Sequence, residues 1–257
     1  MSECMLCQVR RAEHPYLIES IGLNVYSVEE LLYFMERNIP LLDGTILNED
    51  LVHWLKDELH MRRLSVNLSM VLQRNFSVRD FVMPVFREVH YPDEKTIRRV
   101  DEELKKEEDK PSPVRMKECG DCLFGYGRYL RAIDTYRAAI EEAERNEESG
   151  DSLAGILWHN IGCAHARLFQ MEELVSCMEK SFRLLKTGEA RDAWLFAVLL
   201  RDGSDGLAKA ALAAGIDGSV TREIEKKARE LPRPEQPADP EQFLVDEVRA
   251  YHRNTGL

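Results

Sequence analysis

The chain has 257 residues and a formal net charge of -11, enough length to bury a substantial core in one elongated or two compact units. An isoelectric point near 5.2 argues against nucleic acid as a main ligand, because proteins that bind the phosphate backbone concentrate positive charge. Glu3, Arg10 and Arg11 stand where a secretory signal would need an apolar run, and no segment approaches the roughly 18 apolar residues of a membrane span. The sequence therefore predicts a cytoplasmic protein without a membrane partner, whose six cysteines are reduced thiols rather than a disulfide framework.

Residues 1–110 read as a helical N-terminal region with a Cys-x-x-Cys lead-in at Cys4 and Cys7. Tyr16 to Tyr26 alternates loosely, with β-branched and aromatic members, and predicts a short strand or extended lead-in. Ser27 and Glu30 have capping-box spacing and open a helix with Val28, Leu31, Leu32, Met35 and Ile39 on one face. Asn48 caps the next, whose long apolar stripe of Leu51, Trp54, Leu55, Leu59, Leu64 and Leu68 is interrupted near Arg62 and Arg63. A short helix follows around Phe81 to Val89. Ile97, Val100 and Leu104 then give a thin stripe in a charged run, as expected of a solvated connector helix.

Residues 111–231 carry a repeat. Small residues at Gly120 and Ala132 alternate with bulky Leu123, Tyr129, Tyr136 and Ile140 at separations that place them on the facing sides of two antiparallel helices. The same order returns in the second unit, where Gly162 takes the place of Gly120, Leu174 that of Ala132, Met178 that of Tyr136 and Ser181 that of Ala139. The corresponding glycines are roughly eight residues further apart than the usual period of about 34, the excess lying in the polar stretch 144–151. A third, degenerate hairpin over 189–213 sets Gly203 against Gly127 and Ala208 against Ala132 but has Phe196 in the place of glycine. Thr221 to Leu231 suits a solvent-facing capping helix, and residues 232–257 form a Pro-rich linker and a C-terminal helix. Leu244, Val248 and Tyr251 share a helical face there, with Phe243 beside them, which predicts docking back on the fold, an undocked recognition helix being the alternative reading.

The Gly-Arg-Tyr turn between two such helices resembles the tetratricopeptide repeat over roughly 113–213. That resemblance implies an all-α, short helix-hairpin solenoid whose first helices line a concave groove, with a protein or peptide segment as partner. It makes Lys117, Asp121, Phe124, His159, Asn160, Cys163 and Arg167 the candidate groove residues. One class of the family grips a terminal carboxylate with Lys and Asn at fixed positions. Lys117 and Asn160 match it, but Asp121 replaces the expected Asn, and Ala190 and Trp194 stand where cations should be. Chaperone-tail binding is therefore not expected. The whole chain also resembles uncharacterised clostridial-type bacterial proteins that begin with Cys-x-x-Cys and carry a pattern like Pro15–Ser20 and Val25–Leu31, mainly in the first part of the chain; this resemblance implies no activity.

Cys4 and Cys7, with His14 close behind, form a candidate structural zinc set. A fourth ligand would have to come from His53, His60 or His90 through tertiary folding. Cys119 and Cys122 occupy repeat positions held by Ile161 and Ala164 in the second unit, so they read as small packing residues. His159 and His165 share one helix without an accompanying nucleophile or Gly-rich phosphate loop, and Gly125-Tyr126-Gly127 lacks the preceding strand of a nucleotide fingerprint. The expected function is a non-enzymatic adaptor or scaffold. The alternatives are a peptide-responsive regulator and a zinc-stabilised structural subunit.

Overall fold

The computed structural model describes residues 10–74, 76–89, 92–146, 150–231 and 239–255. The chain is all-α in class: among the described residues, two three-residue strands accompany twelve α-helices. It divides into one compact unit over 1–111 and a second over 112–255.

In the first unit the expected extended lead-in is a β-hairpin. β1 (Tyr16–Ile18) pairs antiparallel with β2 (Leu23–Val25), Tyr16 opposite Val25. The turn closes through the N–H groups of Ile21 and Gly22 onto the Ile18 carbonyl, and Gly22 takes a left-handed φ of 64° that only glycine adopts without strain. α1 (Val28–Arg37) starts at Ser27, whose side chain accepts from the Glu30 N–H. Glu30 reaches back one residue beyond the usual box, to the Tyr26 N–H. The long stripe is two helices, α2 (Glu49–Asp57) and α3 (Arg62–Leu72), separated by a turn in which His60 has φ 59°. α4 (Val78–Glu88) has a complete Ser77–Asp80 capping box, and α5 (Glu94–Glu108) buries only Val100 and Leu104.

Leu31, Leu51, Leu55, Phe81 and Phe86 are fully buried in this unit, each worth roughly 1.5–3 kcal/mol of transfer free energy. Two polar tips are satisfied within the same core. The Tyr16 hydroxyl donates to the Ile46 carbonyl at 2.9 Å, and Trp54 Nε1 donates to the His14 carbonyl at 2.8 Å. Burial, opposed by a hydrogen bond with Asn48, pushes the Tyr16 hydroxyl up to about 12.

The second unit is a solenoid-like succession of helix hairpins: α6 (Ser112–Gly125), α7 (Tyr129–Asn146), α8 (Asp151–Arg167), α9 (Met171–Leu185), α10 (Gly188–Ala213) and α11 (Gly218–Glu230). Each packs on the next, and α6 also touches α8. Gly127, Phe169 and Gly203 hold the same register position and all take left-handed φ, at 73°, 56° and 71°. In the first two hairpins the closure is also the same. The Arg128 N–H donates to the Leu123 carbonyl at 2.9 Å and the Gln170 N–H to the His165 carbonyl at 3.0 Å, the six-to-one bond that satisfies a helix's last carbonyls.

The Gly–bulky pairing repeats as well. A β-carbon at Gly120 would run into the Tyr136 ring, and one at Gly162 would stand 2.9 Å from Met178 Cε. In the third hairpin the pairing is lost: Phe196 occupies the place of glycine, and Leu212, at the place of the ring, is 82% exposed. Trp194 and Ala213, on either side of Gly203, line one small pocket, so α10 folds back on itself there. Its second limb buries Leu207 and Ala211 while Ala208 is exposed. The expected match of Ala208 to the buried Ala132 therefore fails by one position, because a phenylalanine ring cannot be straddled as closely as a glycine.

α12 (Pro240–Thr255) completes the described chain. Phe243, Leu244, Val245 and Val248 are all exposed, which corrects the expectation that this helix docks back on the fold.

Candidate functional site

The candidate groove residues lie on α6 and α8, and three of them form a single polar cluster. Lys117 and Asp121 are one helical turn apart on α6, so their side chains meet on one face, with Nζ 2.7 Å from Asp121 Oδ2. Asn160 Nδ2, from α8, donates to Asp121 Oδ1 at 2.9 Å. The Tyr136 hydroxyl, from α7, donates to the same oxygen at 2.7 Å. Asp121 thus joins three helices of two successive hairpins. Lys117 neutralises its charge, and the cluster leaves no isolated cation to take up a ligand carboxylate.

Sequence reasoning assigned Tyr136 to packing alone and missed its hydroxyl. Its ring is nearly fully buried; burial first, then the hydrogen bond to Asp121, drives the phenol well above its ordinary range. A buried phenol must find a partner, and an acceptor on the neighbouring helix was the signal available in the sequence.

His159 and Cys163 are half-buried on α8. Burial lowers the His159 pKa, favouring neutral imidazole, and raises that of Cys163 against the opposing influence of Arg167. A thiol with a raised pKa is a poor nucleophile at neutral pH, so the pair offers hydrogen-bonding and packing surface rather than an activated centre. Arg167 is exposed and makes no ion pair among the described residues. Phe124 is held edge-on against Tyr129, with ring centroids 5.2 Å apart. Trp158, on the same helix as His159, carries Lys180 Nζ over its ring at 4.0 Å.

His165 belongs to the interior. Its ring is buried, and Nδ1 lies 2.6 Å from Gln170 Oε1. Ala190 and Trp194, at the third hairpin's equivalents of the clamp positions, are also buried. Trp194 stacks on Phe182 with centroids 5.7 Å apart, so its ring supports the packing of the helices.

For the metal set, Cys4 and Cys7 lie outside the described residues, as does His90. His14 is committed to Glu58. Its Nδ1 is 2.9 Å from Oε1, while the N–H groups of Glu13 and His14 donate to Oε2. These hydrogen bonds hold the Glu58 carboxyl below its ordinary range. His60 Nε2 lies 2.6 Å from Arg10 Nη1. Among the described residues no cluster of three or more His, Cys, Asp or Glu is arranged to hold a metal ion. Cys119 and Cys122 are half-buried, a looser fit than the buried packing role the register implies.

No described helix is long and apolar enough to cross a membrane. Comparison with protein-family models, with curated proteins and with solved structures finds no match to the chain.

Proposed function

We propose that the second unit is a tetratricopeptide-like binding module. In this reading, the face carried by α6, α8 and the first limb of α10 receives a segment of another protein, in the cytoplasm and without chemistry. The observation that carries the reading is the recurrence of one hairpin geometry. The left-handed turn residue returns at Gly127, Phe169 and Gly203, and the Gly–bulky pair returns at Gly120 with Tyr136 and Gly162 with Met178. Stacked units of like geometry hold their side chains in fixed register, so a ligand meets a surface that is already ordered and carries most of the ordering cost itself.

The side chains restrict what that ligand is. Lys117 is neutralised by Asp121, and Ala190 and Trp194 are buried, so a terminal carboxylate finds no pair of free cations. Exposed Arg167 and exposed Ile156 lie on the same helix as Asn160 and Cys163. An internal segment pairing an apolar residue with an acidic one fits them best. The test is selection of binding sequences from a displayed peptide library on the whole protein, followed by affinities measured on Arg167→Glu and Ile156→Asp. Loss of binding in both variants supports the reading; unchanged affinity in both removes it.

A further inference from the structure

The outer face of α3 is basic and apolar in an otherwise acidic protein. No Asp or Glu occurs between Glu58 and Asp80, in a chain with 46 acidic residues. The face opposite buried Leu64 and Leu68 carries Arg62, Arg63, Val66 and Met70, positions that fall within one arc at helical spacing, and exposed Arg74 follows just past the end of the helix. Val66 is 60% and Met70 50% exposed. The three arginines make no ion pair among the described residues, whereas Arg79, Arg98 and Arg99 nearby are each paired with a carboxylate.

α12 has the opposite pattern. Leu244, Val245 and Val248 share an arc with Glu241, and Glu247 borders it. Leu244 is 61% and Val248 52% exposed. Glu241 and Glu247 form no ion pair among the described residues; Asp246 is the one engaged, with Arg249. Both helices present two or three apolar side chains, flanked by arginine on one and by glutamate on the other. Apolar contact supplies affinity and the flanking charges supply register and selectivity.

We propose that α12 of one copy docks on the outer face of α3 of a second copy, and that reciprocal exchange of the two helices closes a dimer. A two-fold arrangement lets each copy give one helix and receive one, so no open end remains for further growth. The contact is small and its charges lie at the rim, so the dimer is weak and sensitive to salt.

The experiment uses the full chain and a labelled peptide of residues 239–255. The receptor is the Leu244→Asp, Val248→Asp protein, whose own α12 no longer competes. It binds the peptide, and adding Val66→Asp and Met70→Asp weakens binding at least about tenfold. Both sites are exposed, and circular dichroism confirms that each variant folds. Charge exchange supplies a second, independent arm: Arg62→Glu with Arg63→Glu abolishes peptide binding, and a peptide carrying Glu241→Lys and Glu247→Lys restores it. Sedimentation equilibrium finds the wild type dimerising at concentrations on the order of 100 μM and the Val66→Asp, Met70→Asp protein monomeric. Three results would overturn the proposal: a wild type that stays monomeric over that range, peptide binding indifferent to the α3 substitutions, or peptide binding lost on Arg167→Glu instead.

Discussion

The ring of Tyr136 fills the space that a side chain at Gly120 would occupy, and this contact sets how closely α6 and α7 approach. Gly120→Ala forces the ring to move out of a well-packed position and is expected to destabilise the second unit by about 1–3 kcal/mol. A β-carbon at Gly125, in the same helix, meets nothing within 4 Å. Gly125→Ala should therefore leave stability unchanged or raise it by up to about 1 kcal/mol. Thermal unfolding of the two variants side by side separates close packing from helix propensity.

Phe169 does at the second turn what glycine does at the first and third. Its φ is 56° while its side chain is 82% exposed, so the ring buries little to offset the left-handed backbone. Relief of that strain is worth about 1 kcal/mol, and Phe169→Gly is expected to stabilise the protein by that order in chemical denaturation. Gly127→Ala, introducing the same strain at the first turn, is expected to cost a similar amount.

Asp121 gathers Lys117, Tyr136 and Asn160 from three helices. Tyr136→Phe removes one hydrogen bond and leaves an exposed-side acceptor with two other partners, at a cost of about 1 kcal/mol. Asp121→Leu strands the buried Tyr136 hydroxyl as well and should cost more, about 1–3 kcal/mol. Urea unfolding monitored by tryptophan fluorescence gives both values.

Acid stability should carry the mark of Asp101. Arg79, 2.5 Å away, and then Lys105 hold its carboxyl down to about 2 from the ordinary 3.8. A depressed folded-state pKa means stability that is present above the unfolded value and is lost as pH falls from near 4 through about 2. Arg79 is about one-third exposed, so screening reduces the contribution to the order of 1 kcal/mol. Asp101→Asn is expected to lower stability at pH 7 and to flatten its decline between pH 4 and 2; an unchanged acid limb would remove Asp101 from the account.

What the sequence disclosed was whatever local spacing determines. The capping residues Ser27 and Asn48 and the break near Arg62 and Arg63 depend on neighbours within one or two turns, and the pairing of Gly120 and Gly162 with the bulky Tyr136 and Met178 was legible because it recurs at one spacing in two successive hairpins. The β-hairpin at 16–25 was harder to see, because three-residue strands have too few positions for alternation to stand out. The slip of the third hairpin depends on what Phe196 displaces across the helix pair, and that is a tertiary effect. In the candidate site, Lys117, Asp121 and Asn160 were singled out by the resemblance to the repeat family. Their mutual neutralisation was not, because it needs the Tyr136 hydroxyl and the distances between helices. The exposure of α12 was also invisible, since helical spacing identifies an apolar stripe without saying what covers it.

The proposed function makes the face of α6 and α8 the working surface of the protein. The most direct measurement places a photo-crosslinking amino acid at Ile156, on that face, and separately at exposed Leu212, on the second limb of α10, with a library-selected peptide present in each case. Peptide is expected to crosslink at position 156 and not at 212, with Arg167→Glu abolishing the product. Equal crosslinking at both positions, or a product insensitive to Arg167→Glu, would contradict it.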